Sequence, residues 1–203
     1  IKSSAASDVY KRQKQHITKE FDNKEEFELN WVEASAHPIG AVGLWNSMIK
    51  IIKMAKEKGD DIIVICEDDH YFTENYSPKL LFKEVTEAYI QGAEVLSGGI
   101  GGFGQAIPAG YHRYKVDWFW CTQFIVIYNR FFDKMLDYSF QNTDTADGVI
   151  SKLATNIMVI YPFISEQKDF GYSDVTQSNM EQQGKIREHF ARANKHMKSI
   201  SLK

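Results

Sequence analysis

Several features are scarce in this 203-residue chain, and each scarcity excludes something. Only two cysteines occur, Cys66 and Cys121, each inside an apolar run, so the chain has no disulfide framework and reduced, buried thiols are expected. No apolar stretch approaches the roughly 20 residues needed to span a bilayer. Basic runs are missing, and 24 Lys and Arg against 27 Asp and Glu leave a net charge of −3, which argues against a nucleic-acid-binding surface. The six histidines include no His-x-x-x-His spacing. Internal repeats and Pro- or Ser-rich linkers are also absent, so the length suits one domain with a substantial core.

The first residues read differently from the rest. "IKSSAASDVYKRQ" has no helical or strand period, no initiating Met and no signal-peptide core. Residues 1–13 are therefore set aside as a non-native or disordered tail, with the natural start expected further upstream. A catalytic domain is expected over 14–177, and residues 178–203 form a polar helix or tail.

What is present alternates. Lys14 to Phe27 reads as the end of a helix and "FELNWVEAS" (27–35) as a strand, from its alternation of apolar and polar residues. Leu44 to Lys58 carries apolar residues at helical spacing, with Gly59 as its stop. "DDIIVIC" is β-branched without alternation, as expected of a central strand covered on both faces. Further helices are expected over Pro78–Gln91, Arg130–Tyr138 and "TADGVISKLATN", the last with Thr145 or Asp144 near its cap. Further strands are expected over "AEVLSGG", over the whole of "VDWFWCTQFIVIYN", and over "IMVIYPFIS". Strands alternating with helices predict an α/β fold with a mainly parallel sheet flanked by helices.

The chemistry concentrates at "VICEDDHYF" (64–72), where an apolar strand ends in Glu67, Asp68 and Asp69. Adjacent carboxylates repel one another and are costly to desolvate unless a cation or donors lie close. In open α/β sheets, ligands bind outside the carboxyl ends of strands. Oxygen-rich clusters there suit Mg²⁺ or Mn²⁺, which keep waters and take further ligands from substrate phosphates. Alternation along the strand makes Asp69 the expected direct ligand. Glu67 then acts through water or on a sugar hydroxyl, and Asp68 is a second donor-side contact. His70 follows them, either tuning the acids or standing exposed at the strand end. "DWFWCTQF" (117–124) spaces Trp118 and Trp120 two apart, so either ring can offer a platform for an acceptor sugar, with Gln123 as a hydrogen-bonding neighbour.

"GAVGLWNSMIKIIKMAKEKGDDIIVICEDDHYF" resembles the core of GT-A-fold glycosyltransferases, in particular the lipooligosaccharide-type family 25 and related bacterial sugar transferases. Their pattern runs from a Gly-containing loop (here Gly40 and Gly43) through a helix Ser (Ser47) and an apolar strand to an acidic motif, here Glu67-Asp68-Asp69. "TADGVISKL" resembles their acceptor-side helix and "YPFISEQKDFGYSDV" their closing loop, so that the likeness covers roughly residues 27–177. The resemblance implies a GT-A-like, Rossmann-like fold whose first strand lies upstream of this sequence. It also implies metal-dependent transfer of a sugar, with inversion, from a nucleotide-diphosphate sugar to a hydroxyl of a glycan or glycolipid acceptor of lipopolysaccharide type. Asp147 would serve as base, Lys168 as a phosphate contact, Asp174 as a further metal ligand, and Gly98 and Gly99 of "SGGIGGFG" as a flexible loop beside the donor. Such an enzyme is cytoplasmic, with peripheral membrane association through its acceptor and no nucleic-acid partner. Two other readings share these residues: a Mg-dependent nucleotidyltransferase, and a non-catalytic nucleotide- or carbohydrate-binding fragment. "SGGIGGFG" itself lacks the Lys-Ser/Thr of a Walker loop and the spacing of a dinucleotide fingerprint.

Overall fold

The computed structural model describes residues 12–170 and 185–201. In chain order the elements are α1 (residues 12–20), α2 (Gly40–Lys58), β1 (Ile62–Cys66), β2 (His70–Phe72), α3 (Pro78–Ile90), β3 (Val95–Ser97), β4 (Ala106–Pro108), β5 (Arg113–Val116), β6 (Phe124–Tyr128), α4 (Asn129–Leu136), α5 (Ala146–Leu153), β7 (Ile157–Ile160), β8 (Ser165–Gln167) and α6 (Lys185–Ser201). Six strands form one sheet in the order β1-β6-β3-β7-β5-β4, and β2 and β8 form a separate two-stranded ribbon.

The α/β architecture is as expected, with a mixed strand order. β1, β3, β7 and β4 run one way, β6 and β5 run against them, and β3–β7 is the parallel pairing. Alternate residues of the central strands serve opposite faces. Ile125, Ile127, Val95, Ile157 and Val159 pack with Trp45, Met48 and Ile52 of α2, Phe131 of α4, Ile150 of α5 and Phe190 of α6. Phe124, Val126, Tyr128, Leu96, Met158 and Ile160 pack with Leu81 and Ala88 of α3 and Ile17 and Phe21. Both faces are therefore covered, which is why these strands are apolar without alternation. Arg113 of β5 is fully buried and pairs with Glu84 and Glu87 of α3, tying that helix to the sheet through charges that neither partner could bury alone.

Four local expectations are corrected. β1 is an edge strand among the described residues, pairing with β6 alone, and only Ile65 of it is fully buried, so its β-branched run did not mark a central position. Residues 27–35 form no strand, and Leu29 and Trp31 are exposed, because alternation supplies no hydrogen-bonding neighbour. The 116–129 run is divided: Val116 closes β5, residues 117–123 form a loop, and only Phe124–Tyr128 is strand. α2 begins at Gly40, so Gly40 and Gly43 lie in its first turns and not in a loop.

Of the set-aside tail, residues 12 and 13 open α1 and residues 1–11 lie outside the described part. α1 caps the outer edge of β2. His16 Nε2 donates to the His70 carbonyl at 2.8 Å, and Glu20 Oε2 accepts from the Phe72 N–H at 3.0 Å. α6 is amphipathic, with Phe190, Ala193 and Met197 buried.

Candidate active site

The three acids occupy the turn that carries the chain from β1 of the large sheet into β2 of the ribbon. The Glu67 N–H still bonds to Gln123 O at 3.0 Å, extending the β1–β6 ladder, and the His70 N–H closes the turn onto Glu67 O at 3.2 Å. Asp68 faces solvent, where Gln13 Nε2 lies 3.4 Å from its Oδ1. The other two point into the protein. Glu67 Oε1 accepts from Thr122 Oγ1 at 2.6 Å, and Asp69 Oδ2 accepts from Gln167 Nε2 of β8.

Their electrostatics are those of acids crowded in a poorly solvated place. Burial pushes Glu67 up to about 7, reinforced by Asp68 and Asp147 and opposed by the Thr122 hydrogen bond. Burial likewise raises Asp69, with Glu67 and Asp68 adding repulsion. Asp69 Oδ1 is buried and has no hydrogen-bond partner among the described residues. An orphaned carboxylate oxygen of this kind calls for a proton or a cation. Among the described residues no three His, Cys, Asp or Glu side chains enclose a metal position. The donor set therefore suits a cation held by one or two carboxylates that completes its shell with water and phosphate, the habit of Mg²⁺ and Mn²⁺.

Asp147 is brought to the same place from a distant segment. Thr145 caps α5, accepting from the Gly148 N–H, and puts Asp147 in the first turn. Asp144 is not the cap; it accepts from the Gln141 N–H and the Tyr138 hydroxyl. Asp147 Oδ1 accepts from Gly148 N at 2.8 Å and Oδ2 from Cys121 N at 3.2 Å, so backbone donors orient both oxygens. Cys121 holds a left-handed φ of 79°, a costly conformation for a residue with a β-carbon. Its thiol is pushed up by burial and by Asp147, Glu67 and Asp69.

The remaining candidates divide. Trp118 and Trp120 lie on the loop before β6, with ring centroids 5.2 Å apart. Trp120 is 48% exposed and lies flat on Gly102, where a β-carbon would meet the indole at 2.6 Å. Lys168 is exposed beside the acids: its N–H bonds to Asp69 O at 2.7 Å and its Nζ lies 3.4 Å from His16 Nδ1. Asp174 lies outside the described residues.

Three assignments are corrected, at Gly98 and Gly99, at Gln123 and at His70. Gly98 and Gly99 are buried and do not form a flexible donor loop. A β-carbon on Gly99 would stand 1.9 Å from Ser165 O, so the glycine is there to let two backbones touch. Gln123 is fully buried, its Nε2 donating to Gly99 O at 2.9 Å, and is out of reach of an acceptor. Ser47 accepts from Ser35 N and donates to Gly43 O, pinning the 27–39 segment to α2. His70 is fully buried on Ser165 Oγ at 2.8 Å, and burial pulls it down to about 3, so it is a neutral core residue.

Thr122, Cys121 and Gln167 were not singled out from the sequence. No local pattern marks them, since each acts on a carboxylate supplied by another element.

No family model matches the chain, and no curated protein matches it. Solved structures similar to it include apo UDP-glucose pyrophosphorylase, with a TM-score of 0.43, 10% identity, and 76% of this chain covered against 61% of that one. UDP-glucose pyrophosphorylase complexed with UDP-glucose gives a TM-score of 0.44 and 9% identity, over 79% of this chain and 64% of that one. The chain thus spans less than two thirds of either structure. Likeness at this level assigns no chemistry to the site.

Proposed function

We propose that the chain is a metal-dependent, inverting glycosyltransferase of GT-A type, moving a sugar from a nucleotide-diphosphate donor to a hydroxyl of a glycan or glycolipid. The observation that carries this is that consecutive residues of one loop, Cys121 and Thr122, hold Asp147 and Glu67, two residues before an Asp69 oxygen that has no partner among the described residues.

In this reading Asp69, with Glu67, holds Mn²⁺ or Mg²⁺, and the ion supplies neutralisation of the charge on the departing diphosphate. Lys168 adds a cationic contact to phosphate, and Asp68 a polar one to the donor. The acceptor stacks on the open face of Trp120 beside Trp118. Asp147 removes the proton from the acceptor hydroxyl; that oxygen bonds to the anomeric carbon as the bond to the diphosphate oxygen breaks, its electron pair leaving with the diphosphate.

The test is a thermal-shift panel of UDP-, GDP-, TDP- and CMP-sugars with and without Mn²⁺, followed by product analysis. Stabilisation that requires both donor and Mn²⁺, lost in Asp69→Asn, is expected. Asp147→Asn should retain that stabilisation and lose transfer. With pyrophosphate added as co-substrate, formation of a nucleoside triphosphate and a sugar phosphate would instead identify a nucleotidyltransferase, and donor binding without turnover a binding module.

A further inference from the structure

We propose that Gln167 is a positioning residue that sets the cation preference of the site: it leaves Asp69 one oxygen for a metal and so favours Mn²⁺ or Mg²⁺ over Ca²⁺. That role rests on the proposed function, in which Asp69 holds a divalent cation. The ribbon brings Gln167 to Asp69 by register. In the β2–β8 ladder His70 lies opposite Gln167, and one step further the Lys168 N–H donates to the Asp69 carbonyl at 2.7 Å. β8 is itself fastened at its start, where the Ile164 and Ser165 N–H groups donate to Gly98 O at 2.8 and 3.1 Å. Gln167 Nε2 donates to Asp69 Oδ2, while Oδ1 is buried without a partner among the described residues. An ionised carboxylate only accepts hydrogen bonds, so the amide meets it through its nitrogen.

The cross-strand neighbour that could neutralise Asp69 is directed elsewhere. Lys168 stands opposite it, but its Nζ lies 3.4 Å from His16 Nδ1 and 5.2 Å from the centre of the Phe170 ring. Asp69 is in no ion pair among the described residues. A neutral amide therefore fixes one oxygen without cancelling the charge, whereas an ammonium would take the place of the cation. Thr122 acts in the same way at Glu67, where its Oγ1 donates to Oε1 at 2.6 Å. Each acid can then offer at most one oxygen, and neither can close on an ion with both. Ca²⁺ takes a flexible shell of roughly six to eight oxygens in which carboxylates are often bidentate. Mg²⁺ demands a near-octahedral shell, keeps several waters and needs only single carboxylate oxygens, which is the arrangement these two clamps impose.

Mn²⁺ binding to the full chain, read from loss of the free-ion paramagnetic resonance signal, tests this with Ca²⁺ as competitor. The parent should bind Mn²⁺ in preference to Ca²⁺, and Asp69→Asn should not bind it. Gln167→Met keeps the length and removes the donor, which frees Oδ2. Its Mn²⁺ affinity should fall roughly tenfold while Ca²⁺ affinity holds or rises, so that the preference narrows by at least that factor. Gln167→Asn withdraws the amide by one methylene and should narrow the preference in the same direction, which guards against a folding defect peculiar to methionine. A merely structural role would weaken both ions alike. Equal weakening, or a preference unchanged in both variants, would overturn this inference alone where Asp69→Asn abolishes Mn²⁺ binding. Mn²⁺ binding absent from the parent, or surviving Asp69→Asn, would overturn the metal reading and this inference with it.

Discussion

Glu67 and Asp147 are held by neighbouring residues of one loop. Thr122 Oγ1 donates to Glu67 Oε1 at 2.6 Å, and the Cys121 N–H donates to Asp147 Oδ2 at 3.2 Å. The spacing of the two acids is thus set by a two-residue bridge between the end of β1 and the start of α5.

Removing one arm of the bridge leaves a buried carboxylate oxygen without a donor. Thr122→Val should lose about 1–3 kcal/mol at pH 8, where Glu67 is ionised, and less at pH 5. Thr122→Ser, which restores the hydroxyl, should stay within about 1 kcal/mol of the parent. Urea unfolding at both pH values provides the comparison, and equal losses in the two variants would remove the hydrogen bond from the account.

Glu67 also makes stability depend on pH. Its folded value of about 7 stands above the ordinary 4.5, so between those values the folded chain binds more protons than the unfolded one. Stability from this group is full below pH 4.5 and declines as pH rises through 7. Glu67→Gln deletes this group's slope, so the variant should gain about 2.5 kcal/mol relative to the parent between pH 5 and pH 8. His70, held near 3 against 6.5, acts in the opposite sense as pH falls, and being common to both proteins it cancels in the difference.

The left-handed backbone at Cys121 predicts an unusual ranking. Alanine there keeps a β-carbon at φ 79°, whereas glycine relieves it, so Cys121→Gly should be more stable than Cys121→Ala by about 1 kcal/mol. Denaturant midpoints of the two variants decide the order, and the reverse order would mean the conformation carries no strain.

Gly99 and Gly59 should respond to alanine very differently. At Gly99 the new β-carbon meets the Ser165 carbonyl at 1.9 Å, a contact that cannot relax without separating β8 from the glycine run. Gly99→Ala should cost about 3 kcal/mol or more. At Gly59, φ is 77° but nothing lies within 4 Å, so Gly59→Ala should cost only about 1 kcal/mol. Thermal unfolding of the pair reads this directly.

Most elements were legible where local chemistry decides them. Pro78 at the start of α3, Thr145 before Ala146 and Gly59 after Lys58 mark helix ends that the structure keeps. The failures share one cause. "FELNWVEAS" has a strand's alternation and "DWFWCTQF" a strand's composition, but a strand needs a neighbour to accept its backbone hydrogen bonds, and no sequence window contains that neighbour. Gln123 and Gly99 were read as ligand contacts for the same reason, since polar and flexible residues serve a buried junction as readily as a substrate.

Local sequence is enough to show that acids close an apolar strand and that another acid, Asp147, begins a helix, because strand runs and helix caps are properties of neighbouring residues. Only packing brings these acids together, places Thr122 and Cys121 to hold Glu67 and Asp147, and leaves Asp69 an oxygen without a donor among the described residues. Those facts depend on how β1, β6, β8 and α5 pack, and on the burial that turns adjacent charges into a site.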